Sequence, residues 1–195
     1  MINILYEPFP ESVTADGREY GIVTDFRDWI QFADMIADDT ITKQEKIGYM
    51  ANWLLDPPAC ITGDIADKLS EFYAARDIDY VRNPECINGE EPETVSRPPV
   101  FDWRIDARYV LGDFRRFYNI DLLKAEYMHW WEFRSLFAAL PDDSACHKRI
   151  IYRSANLSEI KSDSERERIR KIQMQIALPF EYSDEDIGDI FGGMM

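Results

Sequence analysis

Apolar positions recur along this chain with two different periods, and the period fixes which element each stretch can form. Residues 12–23, SVTADGREYGIV, alternate on either side of Asp16-Gly17. An Asp-Gly pair between alternating runs predicts a two-residue hairpin turn, because both central residues need positive φ. That register sets Val13 opposite Tyr20, with Asn3-Ile-Leu-Tyr6 as a candidate third strand. Such a sheet is too small to stand alone and should lie on helices.

From Thr24 the period becomes helical. Phe26, Trp29, Ile30, Ala33 and Ile36 follow 3, 4, 7 and 10 spacing, with Arg27, Asp28 and Asp34 on the other face. Thr24 is the expected cap. Thr42-Lys-Gln-Glu45 reads as a capping box for a second helix, with Ile47, Met50, Ala51, Leu54 and Leu55 inward and Pro57-Pro58 ending it. Thr62 opens a third, burying Ile65, Leu69, Phe72 and Tyr73. Residues 77–100 are rich in proline and acid without periodicity, so they read as a surface excursion and linker.

Beyond Asp102 the spacing of Trp103, Ala107, Val110, Phe114 and Phe117 predicts a helix, and a second aromatic helix is expected from about Leu122 to Leu140, closed by Pro141. A short helix over 144–155 and a longer one over 157–177 follow. The longer one pairs Glu165 with Arg168 and Glu167 with Lys171 on a solvated face. Its apolar seam, Leu157, Ile160, Ile169, Ile172 and Ile176, is narrow, so it needs a partner.

The fold class that results is mainly α, a multi-helix bundle with a small N-terminal β-hairpin. Residues 1–76 hold the hairpin and three helices, 77–100 the acidic linker, 101–180 an aromatic-rich helical part packed with 1–76 as one domain, and 181–195 an acidic tail. In that tail Ser183 and Asp186 form a capping box, and Ile187, Ile190 and Phe191 fall on one side. Two readings stay open: an unfolded extension, or an acidic helix that docks into a groove.

Composition narrows the function. The net charge of −15 repels phosphate backbones, which argues against nucleic acid as a ligand. The charge is uneven: 20 acids and 8 bases in residues 1–100, 12 and 14 in 101–180, and 5 and none in 181–195. Opposed surfaces could attract copies of the chain to one another, hence a possible homo-oligomer. Cys60, Cys86 and Cys146 are odd in number and widely spaced, so they read as reduced thiols. No apolar run approaches the roughly 20 residues that cross a bilayer, and the start lacks a secretory pattern, so a cytoplasmic protein without membrane attachment is expected.

Catalytic patterns are wanting. His129, in His-Trp-Trp, reads as a buried, hydrogen-bonded histidine, and His147 beside Cys146 points about 100° away from it on a helix, so no dyad is supported. Carboxylates are so abundant that a well-placed pair carries no information. No cofactor or metal is expected, and no enzymatic role. The aromatic share of 13%, interleaved with Arg115-Arg116 and Arg134, reads as a large core, with Trp131 left at an interface.

The stretch Phe101-Asp-Trp-Arg-Ile-Asp-Ala-Arg-Tyr-Val-Leu-Gly-Asp-Phe-Arg-Arg-Phe-Tyr-Asn-Ile-Asp-Leu122, then Met128-His-Trp-Trp-Glu-Phe-Arg-Ser-Leu136, resembles the bacteriophage gene product fifteen family of long-tailed phages and prophages of Gram-positive bacteria. Asn119 stands where that pattern has glycine, and Met128 where it has leucine. The residues carrying the motif are Trp103, Phe114, Tyr118, Asp121, His129, Trp130, Trp131 and Phe133. The resemblance implies a tail-assembly protein, thought to be a chaperone, with the tape-measure protein or the tail-tube protein as partner. A structural tail component is the alternative it leaves, and an enzyme of unrecognised type a further one. Partner contacts are expected through Ile187, Ile190, Phe191 and Trp131.

Overall fold

A computed structural model describes residues 3–75 and 99–179. These group into two compact, mainly helical units: 3–75 with 114–140, and 99–113 with 141–179. The sequence reading instead joins 1–76 and 101–180 into one domain through a linker over 77–100. Most of that segment, and the whole of 181–195 with Ile187, Ile190 and Phe191, lies outside the described residues.

In the first unit, β1 (Ser12–Ala15) and β2 (Arg18–Gly21) pair antiparallel with Val13 opposite Tyr20. Asp16 and Gly17 take φ of 50° and 74°, as the tight turn requires. Asn3–Tyr6 is not a third strand. The Asn3 carboxamide and carbonyl accept from the amides of Leu5, Tyr6 and Glu7, so local turn bonds outcompete strand pairing.

Helix α1 (Phe26–Ala37) is capped by Asp25, not Thr24. The Asp25 carboxylate accepts from the Arg27 amide, while the Thr24 hydroxyl bonds Tyr127 at 2.8 Å. Its buried stripe is Phe26, Trp29 and Phe32, so Ile36, expected inward, is exposed.

The capping box of α2 (Lys43–Tyr49) forms as read, with Thr42 and Glu45 bonding each other's backbone amides. The helix stops well before the prolines and tightens into a 3-10 turn over Met50–Trp53. The cause is a tertiary pull: the Trp53 carbonyl accepts from Val23 and the Leu55 amide donates to Gly21, drawing the chain straight beside β2. Leu54 is thereby buried and Leu55 turned outward. Helix α3 (Gly63–Ala74), capped by Thr62, buries Ile65, Leu69 and Phe72 as predicted and ends at Ala75 with φ of 51°.

Residues 114–140 complete this unit. A π-helical turn, Phe114–Tyr118, ends at Asn119, whose φ of 56° explains the departure from glycine: asparagine is among the few side chains that tolerate that conformation. The aromatic helix expected from Leu122 begins only at Trp130, as α5 (Trp130–Ala138). His129 is its cap and needs extended backbone, which no helix interior can supply.

The second unit consists of α4 (Trp103–Asp113), α6 (Ala145–Ser154) and α7 (Asp163–Ile176). Asp102 caps α4, accepting from the amides of Arg104 and Ile105 at 2.8 Å each. The helix expected over 157–177 is divided: Asn156 caps the start of a 3-10 turn at Leu157–Glu159, and Ser162 caps α7 afresh. Glu165–Arg168 and Glu167–Lys171 pair as read, at 2.8 and 3.8 Å. No residue of α7 is fully buried. Polar bonds hold it instead, from Arg153 Nε to the Ile176 carbonyl and from Gln173 to the Tyr152 and Ala155 carbonyls.

Candidate functional site

His129 is a structural hub. Its Nδ1 accepts the Trp131 amide at 3.0 Å, so the proton belongs on Nε2, which lies 3.1 Å from the Pro10 carbonyl. The ring stacks on Phe9 at 4.7 Å, and its backbone bridges Asp25, the cap of α1. One residue therefore starts α5, meets the start of α1 and anchors the N-terminal segment. Burial depresses its basicity, outweighing the Pro10 carbonyl and Glu11. The sequence reading as a buried, bonded histidine holds.

The other motif residues nearby are equally internal. Trp130 and Trp131 donate their indole N–H groups to the carbonyls of Tyr73 and Phe72, both at 2.9 Å. Trp131, expected at an interface, is 2% exposed and packs on Phe72, so in this conformation it offers a partner almost no surface. Phe133 stacks between Phe26 and Phe114, and Tyr118 donates to the Leu136 carbonyl. Asp121 accepts from Arg115 and the Leu123 amide; the Arg115 bond leads in holding its carboxyl below the ordinary value, against the rise from burial.

In the second unit, Asp106 and Asp113 lie seven apart on α4, and Arg149 and Arg153 four apart on α6. Arg153 binds both Asp106 oxygens, at 2.5 and 3.0 Å, and Arg149 adds a contact at 3.3 Å. Burial pushes the Asp106 carboxyl up, but the Arg153 bonds, the Asp102 amide and Arg149 together win and hold it below the ordinary value. Asp113 accepts the Ala145 and Cys146 amides at the start of α6. Burial, and then this carboxylate, raise the Cys146 thiol far above its ordinary range and keep it inert. Cys60 is exposed, and Cys86 lies outside the described residues. Trp103 packs edge-on against Phe101 in this unit. The i, i+7 aspartates and i, i+4 arginines were the signal available in the sequence for this pairing.

An open groove of about 930 Å³ runs beside the hairpin in the first unit. Gly21–Thr24 line it, together with the acidic residues Glu11, Glu19, Asp25 and Asp28. Leu55 and Tyr127 line it too, 68% and 56% exposed. A Cβ on Gly21 would come within 3.1 Å of Leu55 Cδ1, so glycine permits that close approach. Burial, and then the neighbouring Asp25, raise the Asp28 carboxyl. Sequence reasoning missed this groove, because its walls come from four separated stretches. Among the described residues no group of three or more metal-ligating side chains comes together, and no helix is long and apolar enough to cross a membrane.

The motif residues are thus mainly determinants of folding, and their pattern is what a family profile detects. The profile for Bacteriophage Gp15 protein matches residues 5–178. The chain belongs to that family. No curated protein and no solved structure matches it. The matched span takes in both the His129 hub and the Asp106 pairing, but stops short of Ile187, Ile190 and Phe191.

Proposed function

We propose that this bacteriophage-family protein acts in tail assembly as a non-enzymatic chaperone in the host cytoplasm, binding the tape-measure protein, the tail-tube protein or both. Family membership over residues 5–178 carries the reading. Its physical logic is that a long helical client with apolar stripes aggregates until it is enclosed, so something must cover the stripes reversibly. Weak contacts suffice if many copies act along one client, and polymerising tube subunits then displace them. Exposed Leu55, Tyr127, Ile151 and Met174 are apolar side chains suited to such contacts.

Co-expression with the tape-measure protein tests this. The client should stay soluble with the chaperone and precipitate without it, and purified virions should lack the chaperone. Recovery from virions in fixed stoichiometry would instead make it a structural tail component, and an insoluble client in both arms would remove the chaperone role.

A further inference from the structure

We infer that the groove beside the hairpin seats a cationic amphipathic helix of another protein. Three features of the groove select this occupant. First, the backbone of the lining residues Gly21–Thr24 is already engaged: Gly21 O accepts from Leu55, Ile22 N donates to Glu11, Val23 N donates to Trp53, and Thr24 O accepts from Trp130. An added β-strand would find few free groups there, so recognition runs through side chains, as a helix lying in a groove does.

Second, the charge is of one sign and distributed. No lysine or arginine is among the described residues that line the groove; Arg27, outside the lining, pairs with Asp25 at 3.0 Å and acts on Asp28, and Glu19 accepts from the neutral Ser12 hydroxyl, so the lining stays acidic. No three ligating side chains converge, so a single metal ion would not satisfy them. A row of lysines or arginines spaced along a helix would. Third, Leu55 and Tyr127 stand exposed beside the carboxylates, offering apolar surface for the greasy face of the same helix. The inference does not depend on which protein carries the helix.

The test uses the full chain and two fluorescein-labelled helical peptides of leucine and lysine, or leucine and glutamate, in the same amphipathic pattern, read by fluorescence anisotropy at low and moderate salt. The lysine peptide should bind, more weakly as salt rises, and the glutamate peptide should not. The double variant Glu11→Lys/Glu19→Lys should weaken binding by about tenfold or more, since like charges then face each other. Leu55→Ser should weaken it severalfold with less effect on salt dependence. Both alter exposed positions, and a circular-dichroism melt checks that they fold. The variant Glu159→Lys/Asp163→Lys makes the same charge change in the second unit and should bind as the parent does. No binding by the parent, equal binding of the two peptides, or equal losses from the two charge-reversed pairs would each overturn the proposal.

Discussion

In the first unit the largest fully buried side chains are Trp29, Phe32, Phe114, Trp130 and Phe133, whereas in the second they are Asp106, Cys146 and Ser144. The aromatic core stacks ring on ring: Phe26 on Phe133 at 4.7 Å, Phe133 on Phe114 at 5.1 Å and Tyr73 on Trp130 at 5.4 Å. Its polar edges, the indole N–H groups, are spent on backbone carbonyls, so burial costs no unmet bond. The second unit places a carboxylate where an apolar side chain would otherwise sit and surrounds it with two guanidiniums. Apolar burial is non-directional and forgiving of shape. A buried ion pair is directional, fixes how α4 meets α6, and is costly once one partner is missing.

The largest effect should follow from breaking that pairing. Asp106→Ala leaves Arg153, almost wholly buried, without its counter-charge and should cost about 3–5 kcal/mol in urea denaturation. Replacing the set together, Asp106→Leu with Arg149→Met and Arg153→Met, should cost far less, because no charge is stranded. If the triple variant is as damaged as the single one, the ion pairs are not what distinguishes this unit. The aromatic core should give the opposite result. Phe114→Leu keeps most of the volume while removing the stack on Phe133 and the edge contact with Tyr118, and should cost about 1–2 kcal/mol. A loss as large as that of Asp106→Ala would mean the rings act as a rigid set.

Much of this contrast was legible in the sequence, and the limits are informative. The hairpin, the capping box at Thr42, the α3 stripe and the buried role of His129 follow from local chemistry, which neighbours in space do not override. Two of the departures share one cause. Leu55 and the start of α5 depart from the sequence pattern where a tertiary bond decides: Asp25 and His129 bridge across 104 positions, and Leu54 is drawn toward Ile22. Trp131 is buried, its indole reaching the Phe72 carbonyl, a contact that an apolar helix position cannot reveal. The groove was invisible for the same reason, as Glu11, Asp28, Leu55 and Tyr127 meet only in the folded chain.

The smallest predicted effect separates the two units by acid. His129 has a depressed pKa in the folded protein, so below about 6.5, the ordinary histidine value, the unfolded chain takes up a proton that the folded ring refuses. Its stabilisation is complete above that pH and is lost as the pH falls toward the folded value. Asp106, held low by its arginines, keeps its contribution until the pH drops below the ordinary carboxylate value near 3.8, and loses it on passing through the folded one. Between pH 7 and 5, then, His129 should lower the urea midpoint while Asp106 keeps its contribution. His129→Asn retains a side chain that caps α5 but does not titrate. It should therefore lower the midpoint at pH 7 while flattening its dependence on pH. A variant with the parent's slope over that window would show that protonation acts elsewhere, and that the hub at His129 serves geometry only.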